Sequence, residues 1–511
     1  MRQSLVALRN SAAGLGGQLI YIVLALFLSP FIIHRVGDDA YGVYLLALSI
    51  VNFLELLRNP VARTCTVEVA KGIESGQQDS INRTISAAVL LATVPAVLGF
   101  AILAGGSEVL YRFFDVKAEL HLEVLVVLIL AGVAQLCSFP LFPFQGVVWG
   151  RQRHDVAYAI IAGHQVLRAG LIVAVFLLFS QSVIVVMALT VLTLIGTQVF
   201  MMLFAYRTMP ALRVRFRGLR RDDFRMLFTF GGLVLLTQAL AQISVQGGKW
   251  IAGKFLGVEF LTYVWICTLL VMLAYGLVLK ITVVLVPVAA RYEAARNKPM
   301  LQEVFRRGCR YSFVMAAGVL CVVLPMMDLF LHLWMSEKYI WLAPHMIVLG
   351  CVAALTASSS CSYQILQGVG DAKRPFLATL ISTVVGLGTM LISMGLFNMG
   401  FVGIIAGIGT QQLARWGLLI WMSMRRFGGS WATLAWEAYI QPLLAITVAV
   451  ASVFALRMFF VPETWGGLIA VLGAGEVVFA LALLPLLTRR EWALAREAAA
   501  TLRRTLFGRK T

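Results

Sequence analysis

The chain has 511 residues, of which 60% are hydrophobic and 13% charged, with a mean hydropathy of +0.89 and a formal net charge of +18. Soluble domains carry roughly 25% charged residues, so the composition places the chain in a bilayer and excludes a soluble globular protein. The positive charge does not mark a nucleic-acid binder, because no stretch between apolar runs is long enough to fold as a nucleic-acid domain.

A spanning helix needs about 20 apolar residues. On that ruler about 14 spans are expected: 11–33, 40–62, 82–105, 122–147, 156–179, 182–206, 226–248, 258–282, 310–331, 341–366, 375–397, 401–424, 438–460 and 465–488. The first holds no charge, exceeds a signal-peptide core and is followed at once by another span, so it reads as a retained helix. The second and eighth are expected to run on into the cytoplasm to about residues 70 and 290. Pro30, Pro60, Pro95, Pro287 and Pro325 are candidate bends.

The stretch HRVGDDAYGVYLLALSIVNFLELLRNPVARTCTVEVAKG, residues 34–72, returns in degraded form at 254–298. At an offset of 220, Gly37 falls on Gly257, Leu57 on Leu277, Ala70 on Ala290, Lys71 on Arg291 and, upstream, Gln18 on Gln238. A constant offset across helix, turn and helix points to a duplicated bundle, and such bundles commonly carry a transport site between their halves. The expected organisation is an all-α polytopic membrane protein of two pseudo-symmetric six-helix lobes plus two C-terminal helices. Its parts are 1–206 (N-lobe), 207–225 (basic cytoplasmic linker), 226–424 (C-lobe), 425–488 (the last two spans) and 489–511 (basic tail). In the tail Trp492, Ala495, Ala499, Leu502 and Leu506 repeat at helical spacing between arginines, which predicts an amphipathic helix on the inner leaflet.

With the N-terminus inside, 32 of the 42 Lys and Arg fall on the cytoplasmic side. The outer side keeps seven: Arg35, Arg112, Lys117, Lys249, Lys254, Lys338 and Arg457. The positive-inside rule therefore predicts two cytoplasmic termini. The linker RTMPALRVRFRGLRRDDFR fits that rule as ordinary topology, with binding of anionic lipid as the functional reading.

An ionisable residue deep in a span costs roughly 2.5–3.5 kcal/mol on insertion scales and is a functional candidate by default. Arg168 lies 13 residues past Asp155, about 20 Å into its helix, and Arg415 ten residues before Arg425, about 15 Å in. Lys280 lies 11 residues before Arg291, and Arg58 falls within two positions of it under the repeat offset. Glu55 is one turn before Arg58, close enough to pair with it, and Glu476 lies apart in the last span. A basic set in an apolar bundle suits an anionic substrate, since a guanidinium holds a phosphate by two-point contact. Each cation equally fits a snorkelling or helix-bracing role. Gln238, Gln242 and Gln246 make an uncharged polar stripe, with Gln18 as the repeat partner of Gln238. The stripe suits sugar hydroxyls and suits helix–helix hydrogen bonds equally well.

The seven cysteines fit neither a zinc site nor a disulfide frame and read as small buried hydrophobes. The chain contains no GxxxxGK[ST], no HExxH and no Asp-rich loop of the kind that holds a metal for glycosyl transfer. No cofactor or metal is expected, and the chain is not read as an enzyme. A membrane-embedded glycan ligase or polymerase is disfavoured by outer loops of only about 20 residues.

HRVGDDAYGVYLLALSIV, with its Gly, acidic pair and YG opening the second span, resembles the polysaccharide flippases (Wzx-like) of the multidrug/oligosaccharidyl-lipid/polysaccharide (MOP) exporter superfamily. Glu55-Leu56-Leu57-Arg58-Asn59 departs from that branch's usual Asp-Leu-Gly-Leu. YQILQGVGDAKRPFLATL at 363–380 is similar to the family's QGxGD turn, with FQGVVWGRQRHDVAYAI at 144–160 as its first-half counterpart. The resemblance implies a transporter of the bacterial inner membrane. It would flip a polyprenyl-pyrophosphate-linked oligosaccharide outward by alternating access, for O-antigen, capsule or exopolysaccharide synthesis. It also implies membrane lipids and polysaccharide polymerase or export machinery as partners, and leaves a coupling ion, H+ or Na+, open. A MATE-type drug/cation antiporter and a lipid II flippase are the rival readings. Antiporters of that type usually place an acid in the first or seventh span, and neither 11–33 nor 226–248 contains one.

Overall fold

In the computed structural model, residues 2–221, 223–224, 232–486 and 492 are described, and among them there is helix and no strand. In a bilayer each backbone N–H and C=O must be satisfied within its own segment, which selects helices. In chain order they are α1 (Arg2–Val36), α2 (Asp38–Leu54), α3 (Arg58–Ser75), α4 (Gln78–Phe100), α5 (Ser107–Phe113), α6 (His121–Ser138) and α7 (Pro143–Gly150). Then come α8 (His154–Leu178), α9 (Val183–Thr208), α10 (Gly232–Phe255), α11 (Glu259–Thr282), α12 (Leu285–Ala294), α13 (Lys298–Val323) and α14 (Met327–Met335). The last are α15 (Ala343–Thr356), α16 (Ser359–Gly368), α17 (Lys373–Gly395), α18 (Gly400–Phe427), α19 (Trp431–Ala435), α20 (Gln441–Phe459) and α21 (Trp465–Leu483). The basic tail, apart from Trp492, lies outside the described residues.

The described parts of the expected spans fall largely on helix, and among the described residues ten helices are long and apolar enough to cross a bilayer. The other four expected spans lie on α1, on α2–α3, on α10 and on α18. Gln18, Glu55, Arg58, Gln238, Gln242 and Arg415 all fall in these four stretches.

The second and eighth helices are not continuous. A 3-10 turn at Glu55–Leu57 separates α2 from α3, and a two-residue turn separates α11 from α12 just before Pro287. Pro325 likewise lies in a 3-10 turn, Leu324–Met326, between α13 and α14. Pro30 and Pro95 stay inside α1 and α4, and α4 passes into a π-helical turn, Ala101–Gly105, beyond Pro95. The repeat survives in backbone geometry. Gly37 and Gly257 both have positive φ (85° and 116°) and precede α2 and α11. The second break comes about two helical turns later in the repeat than the first, so the match is tight at the turn and loose at the bend.

The chain divides into two compact units, Met1–Thr268 with Pro375–Ala414, and Leu269–Arg374 with Arg415–Thr511. In the first, α3, α4, α7 and α9 enclose a core that includes Cys65, Val69, Ile85, Phe144, Val147 and Met201. The basic linker is bound to this core. Leu212 is buried, and the Arg213 and Arg215 backbone N–H groups donate to Asn82 Oδ1 (3.0 Å) and Ser86 Oγ (2.9 Å) on α4. The arginines at 213, 215 and 217 then face outward.

The helix-turn-helix after the fourth span recurs in the second unit. α7 ends at Gly150, with left-handed Gln152 (φ 58°), and α16 ends at Gly368, with left-handed Gly370 (φ 78°). Trp149-Gly150 is therefore the counterpart of Gln367-Gly368, four residues beyond the Gln145-Gly146 pair that the sequence match suggests. Each glycine lets its helix close on the partner that follows the bend: Gly150 on Val69 of α3, Gly368 on Ala289 of α12. All seven cysteines are free, five of them buried and Cys137 and Cys351 exposed.

Candidate substrate site

Within the first unit, polar side chains from α1, α2 and α8 converge around Arg168. The guanidinium sits on the middle of α8, within electrostatic reach of Tyr21 on α1 and Tyr41 on α2. Tyr41 hydrogen-bonds Ser29 and packs 5.6 Å from the Tyr44 ring, whose hydroxyl lies 3.5 Å from Thr190 Oγ1 on α9. His164 stands one turn before Arg168. Arg168 Nε and His164 Nδ1 are both buried and have no hydrogen-bond partner among the described residues. Buried polar atoms are nearly always satisfied, so the unpartnered Arg168 N–H defines a place for an acceptor, and the His164 ring, whose other nitrogen faces the Thr193 backbone, lies a turn away on the same helix face. Of the predicted residues only Arg168 belongs to this cluster.

Arg58 is placed differently. Its Nη1 donates to Glu55 Oε1 at 2.9 Å and its Nη2 reaches Gln145 Oε1 at 3.4 Å, with Cζ 5.6 Å from the Phe142 ring centroid. The predicted Glu55–Arg58 pair is formed, and it ties the bend between α2 and α3 to α7. The Gln18 side chain lies outside the described residues.

The glutamine stripe on α10 is only half internal. Gln246 Nε2 reaches Gln242 Oε1 at 3.5 Å, while Gln238 Oε1 and the buried Gln246 Oε1 have no partner among the described residues. Beside them Ser244 bonds Thr383 at 2.5 Å and accepts from Gln411 Nε2, joining α10 to α17 and α18. Further along α10, Trp250 Nε1 donates to Ser49 Oγ at 2.7 Å. Lys249, counted above among the outer-loop cations, lies within α10.

In the second unit, Arg415 Nε is buried without a partner among the described residues, and Cζ lies 5.6 Å from the Tyr363 ring centroid. Trp416, next in sequence, donates to Ser358 (3.0 Å) and Tyr439 (3.2 Å). The Ser360 and Ser362 hydroxyls nearby on α16 are buried and unpartnered among the described residues. Lys280 is exposed in the last turn of α11. Among the described residues no group of His, Cys, Asp and Glu is arranged to hold a metal ion.

Tyr21, Tyr41, Tyr44 and His164 escaped the sequence reading. Polar-tipped aromatics inside predicted spans were the available signal, but sequence does not reveal which helices pack together.

Comparison places this geometry in a known fold. No protein-family model matches the chain. A Bacillus subtilis (strain 168) protein, the uncharacterized membrane protein EpsK, is 18% identical over 90% of this chain and 91% of its own length. Among solved structures, the lipid II flippase MurJ in an inward closed conformation superposes with a TM-score of 0.69 at 9% identity, covering 93% of this chain and 97% of that one. An inward-facing multidrug resistance MATE family transporter of the MOP superfamily gives 0.68 at 16% identity, over 80% and 94%. A MOP superfamily transporter from Pyrococcus furiosus Vc1, whose binding pocket is described as of reverse polarity, gives 0.61 at 16% identity, over 83% and 95%. The chain therefore has the all-helical fold of MOP superfamily transporters.

Proposed function

We propose that this chain is a flippase that carries a polyprenyl-pyrophosphate-linked oligosaccharide from the inner to the outer leaflet of the bacterial cytoplasmic membrane, for polysaccharide synthesis. The observation that carries this reading is the unpartnered buried donor Arg168 Nε, set beside His164 and among tyrosine hydroxyls. A guanidinium of this kind favours a phosphate oxygen, and the interaction strengthens where water is scarce. In the same unit, the Gln238–Gln246 stripe offers acceptors for sugar hydroxyls. Drug/cation antiport has less support, because neither α1 nor the described α10 carries an acidic residue. In this reading no cofactor takes part and no bond is made or broken. An H+ or Na+ gradient, or consumption of the flipped product by a polymerase, gives the movement its direction.

The test is a proteoliposome assay of a fluorescent polyprenyl-pyrophosphate oligosaccharide, run beside efflux of a cationic dye. Wild type is expected to move the lipid-linked sugar and not the dye. Arg168→Ala should reduce flipping by at least about tenfold, the loss of one charge-assisted contact of 1.5–3 kcal/mol. Arg168→Lys should restore part of it if charge matters more than fork geometry. Dye efflux without sugar transfer, or full activity in Arg168→Ala, overturns the reading.

A further inference from the structure

Within the second unit, α13, α15 and α20 line an open cavity of about 660 Å³. Its wall is apolar. On α20 the lining positions Leu443, Ile446, Val450, Phe454 and Arg457 recur every three or four residues and so make one helix face. From Leu443 to Arg457 that face is about 21 Å long at 1.5 Å per residue. One leaflet contributes half of a hydrocarbon core about 30 Å thick, so the cavity can accept an extended acyl chain along its length.

One end of the cavity is charged. Arg457 Nη1 donates to Asp328 Oδ1 (2.9 Å) and to the Pro325 carbonyl (2.8 Å), and Nη2 donates to Asp328 Oδ2. Both side chains keep about a third of their surface exposed (32% and 38%), so each has room for a second partner of opposite charge. A cation and an anion side by side at the mouth of an apolar slot match a headgroup that carries both charges. We propose that this cavity binds a zwitterionic aminophospholipid, with one acyl chain in the slot, phosphate at Arg457 and ammonium at Asp328. A headgroup carrying negative charge alone, such as a glycerol phosphate or a polyprenyl phosphate, would bring its charge against the Asp328 carboxylate. The site is separate from the Arg168 cluster and does not depend on what that cluster binds.

The test uses the full-length chain, delipidated in detergent and titrated with phosphatidylethanolamine, phosphatidylglycerol or polyprenyl phosphate under native mass spectrometry. One phosphatidylethanolamine per chain is expected to be retained about tenfold more tightly than the other two lipids. Asp328→Asn combined with Arg457→Gln leaves no unpaired charge and should erase that preference. Ala317→Phe, which fills the slot from α13, should weaken all three lipids. Cys351 lines the cavity and is exposed, so its alkylation in the wild-type chain, followed by peptide mapping, reads occupancy without relying on a variant. Protection of Cys351 by phosphatidylethanolamine and not by phosphatidylglycerol supports the proposal. Equal retention of the three lipids, a preference for polyprenyl phosphate, or no protection of Cys351 overturns it.

Discussion

Arg58 and Arg168 carry the same charge on expected spans, yet their surroundings give them different work. Arg58 is satisfied by Glu55 and Gln145, and removing it strands a half-buried carboxylate. Arg58→Ala should therefore destabilise the chain by about 1–3 kcal/mol, seen as a lower melting temperature and less folded protein in detergent. Double replacement with Glu55→Gln should recover part of that loss, because the stranded charge is gone. No recovery would mean that the carboxylate is not what makes Arg58 necessary. Arg168→Ala removes a guanidinium whose Nε bonds nothing described, so its effect is expected in transport and not in melting. Sequence showed that both charges were deep in the chain and offered Glu55 as a partner for Arg58, but not the second partner that ties Arg58 to another helix. That partner is Gln145, 87 residues away.

At the scale of elements, the fold closes where glycines allow helices to touch. Gly42 on α2 faces the start of α11, and a Cβ there would stand 2.0 Å from the Val258 carbonyl oxygen. Thr262 and Tyr263 hold the same junction from the other side, donating to the Asp38 carbonyl and Oδ2 at 2.9 Å each. Backbone cannot yield as a side chain can, so Gly42→Ala should exceed the usual overpacking cost of about 1–3 kcal/mol and leave little folded protein. Gly196, inside α9, has nothing within 4 Å of its Cβ position. Gly196→Ala should instead stabilise by about 0.5–1 kcal/mol through helix propensity. Thermal melts of the pair check this, and equal melting temperatures would refute the close contact. The repeat in residues 34–72 and 254–298 forecast two matching turns, and Gly37 and Gly257 bear this out in φ. That the two turns pack on one another was not legible, since a repeat specifies likeness and not adjacency.

For the whole molecule, the distribution of Lys and Arg remains the strongest statement about orientation. Lys117, held to Asp39 at 2.8 Å, and Arg217, on the linker strapped to α4, are expected on opposite sides of the membrane. The Asp39 carboxylate keeps the Lys117 ammonium charged by raising its pKa, in keeping with a watery location at the membrane edge. A single cysteine at position 117 should react with an impermeant maleimide in intact cells, and one at 217 only after permeabilisation. The reverse pattern would invert the topology, and with it the direction of transport proposed here. The sequence by itself determined that this is a helical membrane protein with an internal repeat and a sparse set of intramembrane charges. Those properties depend on composition and on spacing along one chain, where the bilayer sets the length of an apolar run and the backbone's need for hydrogen bonds makes it a helix. Only the tertiary structure decided that Arg58 braces a bend, that Arg168 and His164 share a polar cluster with tyrosines, and that Asp328 and Arg457 close an apolar slot. Whether a polar group is satisfied depends on which distant helix packs against it, and that partner is chosen by packing in three dimensions.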